Sequence, residues 1–116
     1  MANFYTDTPQ FRHYLHHPLM KRIVELRENN YTQSEEYDYA PIDFEDAMDS
    51  YDKVLEVVGE ICGDVIEPNA EEVDHNGPTV ANGRVTYAPN TQENLDVLNK
   101  AELMGMRFGR KYGGLN

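Results

Sequence analysis

Seven residues between Phe44 and Val65 constrain this chain more than any others: Phe44, Met48, Tyr51, Leu55, Val58, Cys62 and Val65, spaced four, three, four, three, four and three apart. That spacing keeps apolar side chains on one side of an α-helix, and Ala47, Val54 and Ile61, each one position before a member of the row, widen it into a bundle-packing face. The pattern predicts a helix from about Asp43 to Ile66. Gly59 and Gly63 interrupt it at a cost of about 1 kcal/mol each relative to alanine, which predicts close approach of another helix there. Pro68 is expected to kink or restart the helix near Glu67, because a first-turn residue does not need its amide hydrogen.

The rest of the chain supplies short elements to pack against that helix. Thr8 before Pro9 reads as an N-cap and first helical residue of a short helix reaching about His16, interrupted by Pro18. Leu19, Ile23 and Leu26, with Met20 and Val24 beside them, predict a second helix from Leu19 to Glu28 with "ENN" as its polar exit. The stretch "YTQSEEYDYAP" from Tyr31 to Pro41 has no helical period but three tyrosines, and reads as an ordered coil anchored by them. Asn82-Gly83 between "PTVA" and "RVTYA" predicts a two-residue type I′ hairpin, since both central positions need positive φ. Asn90 and Glu93 resemble a capping box for a last helix over about Thr91 to Met104, with Gly105 at its C-cap. The expected fold is all-α: a small helical bundle built on one long amphipathic helix, with a minor β-hairpin.

Charge limits the partners. Of the net −11, residues 32–76 carry fifteen acidic side chains against one basic one, whereas residues 1–31 carry four basic and three acidic, and 77–116 five and three. Such a surface repels phosphate backbones and anionic headgroups, and the longest basic cluster is Arg107, Arg110 and Lys111. Neither nucleic-acid binding nor membrane insertion is expected. A chain of 116 residues makes one modest core, burying about two thirds of its unfolded surface. The single cysteine, Cys62, forms no internal disulfide, and "MANFYTDTPQF" lacks the order of a secretory signal, so a cytoplasmic location is expected. Asn30-Tyr31-Thr32 matches a glycosylation acceptor, a common chance match without meaning unless the chain is secreted.

Candidate chemistry is sparse. His13 and His17 are four apart, as in helical metal sites, but Pro18 pushes His17 out of the helical region, so a solvated or capping role is expected instead. Cys62 lies within the apolar row and reads as a buried, inert small hydrophobe. The carboxylates from Asp43 to Asp74 fall mostly opposite that row, and "DFEDAMDSYD" lacks the glycine and loop conformation of a calcium site. No nucleophile elbow, C-x-x-C, dinucleotide or phosphate-loop string occurs, and Ser34 and Ser50 do not complete a triad. No catalytic, cofactor-binding or metal-ligating residue emerges.

Two strings and their order carry a resemblance. "IEPNAEEVDHNG", with Ile66, Pro68, Ala70, Asp74 and Gly77, resembles the end of the first core helix of acyl-CoA dehydrogenases. "NLDVLNKAELMGMRFGRKYGGLN" is similar to that family's next segment, a helix followed by a Pro-Glu-Glu-Tyr-Gly-Gly-like turn, with Tyr112, Gly113 and Gly114 matching. Gly109 stands where the family usually has proline, and Arg110 and Lys111 where it often has acids. The resemblance covers about Phe44 to Leu115. It implies that 43–116 is a partial N-terminal helical domain, that 1–42 is the N-terminal extension of longer members, and that the chain is a fragment of an FAD-dependent oxidoreductase. In that family FAD takes hydride from the β carbon of an acyl-CoA, and the catalytic glutamate and most flavin contacts lie in later domains, so the chain alone is expected to be inactive and flavin-free. Its partners would be those domains and a second copy of itself. The competing expectation is a free-standing acidic helical interaction module whose apolar row binds a partner helix or a second copy.

Overall fold

The computed structural model describes residues 2–116. Helices α1 (Pro9–Leu15) and α2 (Met20–Arg27) are followed by a 3₁₀ segment (Asn29–Glu35), the long helix α3 (Phe44–Ile61), a π turn (Cys62–Ile66) and α4 (Glu67–Asn76). Strands β1 (Thr79–Ala81) and β2 (Arg84–Thr86) and helix α5 (Pro89–Lys100) come next, and 3₁₀ turns at Leu103–Gly105 and Arg110–Tyr112 close the chain. The architecture is helical with one small antiparallel hairpin, as the sequence predicts.

The long helix starts where its cap dictates: extended Asp43 accepts a hydrogen bond from the Asp46 amide at 2.9 Å. At Pro68 the outcome is the restart and not the kink: α4 begins at Glu67 with Pro68 in its first turn, and the backbone stays helical across the junction. Proline offers no amide to the carbonyl of Asp64 and its ring crowds that carbonyl. The π turn removes the conflict by widening the helix one turn early, where the Glu67 amide donates to the carbonyl of Cys62. Segments of 18, 5 and 10 residues thus follow one another without a break in helical backbone, a length of about 50 Å at 1.5 Å per residue.

The two glycines of this stretch receive a different neighbour from the one expected. No helix approaches them; the N-terminal turn does. A methyl group at Gly59 would meet the Tyr5 amide nitrogen at 2.6 Å, and one at Gly63 the carbonyl carbon of Ala2 at 2.6 Å. The Phe4 amide donates to the carbonyl of Gly59 at 3.1 Å, and Asn3 Nδ2 to that of Glu56 at 3.0 Å. The missing Cβ atoms therefore let backbone lie on backbone.

The core is small. Val24, Ala47 and Met48 are its buried centre, with Leu15, Met20, Tyr31, Phe44 and Tyr51 packed around them. The face that α2 buries is Met20–Val24–Glu28, whereas the predicted row Leu19, Ile23 and Leu26 is 51–68% exposed. Thr8 precedes α1 without making a side-chain cap bond. The Tyr31–Pro41 stretch begins as 3₁₀ helix, not coil, after three left-handed residues, Asn29, Asn30 and Tyr31, reverse the chain. Farther along, the hairpin forms in the predicted register, Val80 opposite Val85, with Asn82 at φ 52° and Gly83 at φ 72°. Helix α5 begins at Pro89 instead of Thr91, so Asn90 lies inside the helix and the capping box does not form. Glu93 instead accepts from Asn69 of α4 at 3.0 Å, and Asn69 also donates to Asn94 at 2.8 Å. The helix ends at Lys100, where Glu102 rather than Gly105 takes the left-handed conformation, at φ 59°.

Candidate functional site

Two features near the N-terminal half concentrate buried polar groups and open apolar surface. The first is a latch that joins α2 to the last residues of the chain. Glu28, the residue ending α2, is 1% exposed and Arg110 is 4% exposed, and Arg110 Nη2 lies 2.6 Å from Glu28 Oε2. That contact is poorly aligned for a hydrogen bond, so its attraction is mainly charge against charge. Tyr51 of α3 donates its hydroxyl to Glu28 Oε1, and burial first, then this bond, pushes the Tyr51 phenol up from its ordinary value. Arg27 lies over the Tyr51 ring, its guanidinium carbon 5.6 Å from the centroid.

The other end of the latch is held by amide side chains. Gln33 Oε1 accepts from Arg110 Nη1 at 2.8 Å and from Asn116 Nδ2 at 2.7 Å, while Asn116 Oδ1 accepts from the Arg110 amide at 3.2 Å. Tyr39 donates to the carbonyls of Arg110 and Gly114 at 3.4 and 3.3 Å. Two of the three tyrosines of the Tyr31–Pro41 stretch thus anchor it as predicted, Tyr31 against the core and Tyr39 against the terminal segment.

A second polar cluster ties the first residues to α3. Buried Tyr5 donates to Asp52 Oδ1, His16 Nε2 lies 3.0 Å from Oδ2, and Arg12 Nε is 3.9 Å from Oδ1. Burial, then the bond to Asp52, pushes the Tyr5 hydroxyl up to about 12. Both clusters are spent on holding chain segments together. Glu28 is out of reach of any solute.

The second feature is a groove between α1–α2 and α3. Its wider part, about 520 Å³, is lined by Phe4, Phe11, Tyr14, Leu55, Val58 and Cys62 among others. Leu15, Met20 and Leu55 continue into a narrower part of about 240 Å³, which Met106 and Leu115 of the terminal segment help to close. Cys62 is therefore half-buried on a groove wall, not sealed in a core, because none of the described residues covers this part of the apolar row.

The histidines remain apart: His13 is exposed against the edge of Tyr14, and His17 Nδ1 accepts from the Leu19 amide at 3.1 Å, the capping role expected of it. No group of three metal-ligating side chains occurs among the described residues, and no helix there is long and apolar enough to cross a membrane. Sequence reasoning missed Glu28, Arg110 and Asp52. A signal for Glu28 was present, since Met20, Val24 and Glu28 are four apart and place a carboxylate on an apolar face. Comparison with protein-family models, curated proteins and solved structures returns no match.

Proposed function

We propose that the chain is the N-terminal helical part of an FAD-dependent acyl-CoA dehydrogenase, with a packing role and no activity of its own. The observation that carries this reading is the turn matching the family's Tyr-Gly-Gly string. Gly113 is left-handed at φ 85°, and a Cβ on Gly114 would meet the Phe108 carbonyl carbon at 2.6 Å, so this backbone needs both glycines. Supporting it, the string Ile66, Pro68, Ala70, Asp74 lies on one continuous helix that ends at Gly77, in the left-handed region at φ 57°. Val80, Val85, Tyr87, Met104, Phe108 and Tyr112 are 55–74% exposed, apolar surface of the kind that further domains would cover.

The wider part of the groove is a poor match for a flavin dinucleotide. The wider part of the groove has no lysine or arginine in its lining to meet a diphosphate, so no catalytic step is assigned to this chain. Reading the gene past the codon for Asn116 tests the proposal: a continuing frame that encodes a flavin-binding sheet domain supports it, and a stop codon there contradicts it. A second reading, a free-standing acidic helical interaction module, is favoured by the open groove beside an acidic helix, and the stop codon is the outcome it requires.

A further inference from the structure

We propose that the groove between α1–α2 and α3 is closed by the same groove of a second copy of this chain. The first argument is area. The chain exposes 8576 Å², against about 6,500 Å² for a compact monomer of its 13.3 kDa, a surplus of about 2,000 Å². Its radius of gyration is 17.6 Å, where a compact chain of this length has about 13 Å. A stable interface removes about 800 Å² from each partner, so the surplus is enough for one such contact at the groove, with the hairpin and terminal side left for other neighbours.

The second argument is where the apolar surface lies. Phe11, Tyr14 and Ile23 stand 51–69% exposed along the α1–α2 lip, facing a wall made of Leu55, Val58 and Cys62. Aromatic side chains in that setting are the residues most enriched at interface centres.

Charge selects a second copy over a foreign partner. The α1–α2 side carries Lys21 and three arginines with loose partners in their own chain, Arg12, Arg22 and Arg27 at 3.5–3.9 Å from Asp52, Glu25 and Glu28, whereas α3 exposes Glu56 and Glu60, with Asp64 exposed in the π turn. One surface thus holds both members of a complementary pair, the condition for an isologous contact in which each basic lip meets the acidic helix of the other copy. Such a contact also relieves the like-charge crowding along α3, which has one lysine, Lys53, within it.

The test combines mass with a groove reporter. Light scattering on the unmodified chain at micromolar and higher concentrations is expected to give twice the monomer mass. Alkylation of Cys62 by a maleimide is expected to slow about tenfold as concentration rises through the dimerisation midpoint, because the groove wall is then covered. Tyr14→Glu, at a position outside the core, is expected to return the mass to monomer with an unchanged helical circular dichroism spectrum. A monomer mass at every concentration overturns the proposal, and so does a dimer in which Cys62 reacts at the monomer rate or Tyr14→Glu has no effect. The inference does not rest on the family reading: a monomer leaves that reading standing, and a stop codon after Asn116 leaves this one standing.

Discussion

The segment from Ala2 to Gly63 and the segment from Thr79 to Lys100 are both built from short elements, yet only the first is knitted into a core. The first contains buried Tyr5, Val24, Glu28, Ala40, Ala47, Met48 and Ile61, and the second contains Ala88 alone. Every residue of the hairpin strands is exposed, and α5 has no buried residue. Hydrogen bonds and half-buried side chains such as Val97 and Leu98 define the second region's elements, whereas fully buried side chains define the first. A helix or hairpin of that length is marginal by itself in water, so the second region draws its order from α4, through Asn69.

The largest expected effect lies in the latch. Arg110→Ala leaves buried Glu28 only the Tyr51 hydroxyl and the more distant Arg27, 3.9 Å from Oε1, as partners and should destabilise the fold by about 3 kcal/mol. Asn69→Ala removes the polar link between α4 and α5 and should cost about 1 kcal/mol. Thermal unfolding of the two variants checks the contrast, and equal losses would break it. Next in size is a pair of glycine substitutions. Gly63→Ala places a methyl against the Ala2 backbone and should cost about 1–3 kcal/mol, with the N-terminal turn displaced. Gly105→Ala meets nothing within 4 Å at a residue without positive φ and should be neutral or stabilising by about 0.5 kcal/mol.

Alkaline pH should act on the first region before the second. Tyr5 and Tyr51 have phenols raised by burial and by bonds to Asp52 and Glu28, so each binds its proton more tightly folded than unfolded. Their contribution is complete below about pH 10, the unfolded value, and for Tyr5 it is lost as pH rises through about 12. Denaturant midpoints measured across that window should fall, and Tyr5→Phe should flatten part of the decline. Salt is expected to have the smallest effect. Glu45/Asp49, Asp52/Glu56, Glu56/Glu60 and Glu60/Asp64 are like-charged pairs four apart, each destabilising by a few tenths of a kcal/mol, against the Asp49–Lys53 ion pair at 2.6 Å. Moderate sodium chloride should raise the thermal midpoint slightly, and a fall would mean that the contacts of Asp52 with Arg12 and His16 outweigh the repulsion.

Periodicity made the long helix, its apolar row and the hairpin legible, because each depends on residues close in sequence. What periodicity could not supply is what covers each face. The row Phe44 to Val65 reads the same whether a helix, a turn or nothing lies over it, so the approach of Ala2–Tyr5 to Gly59 and Gly63 and the half-open Cys62 were out of reach. Competing local choices explain the shifts in boundaries. Pro89 starts α5 before the Asn90 capping box can act, and the restart expected at Glu67 is preceded by a π turn that periodicity does not announce. The latch was hidden for another reason: Glu28 and Arg110 are 82 positions apart, so even a carboxylate legible on the apolar face of α2 does not name the arginine that meets it.

Residue-resolved amide hydrogen exchange on the unmodified chain tests most directly the claim that one region is knitted and the other is not. Amides of α3 between Ala47 and Ile61 should be the slowest in the molecule, and those of β1, β2 and α5 should exchange within a few-fold of unfolded rates. Uniform protection from Phe44 to Lys100 would contradict the account, because it would mean that the hairpin and α5 open only when the buried core opens.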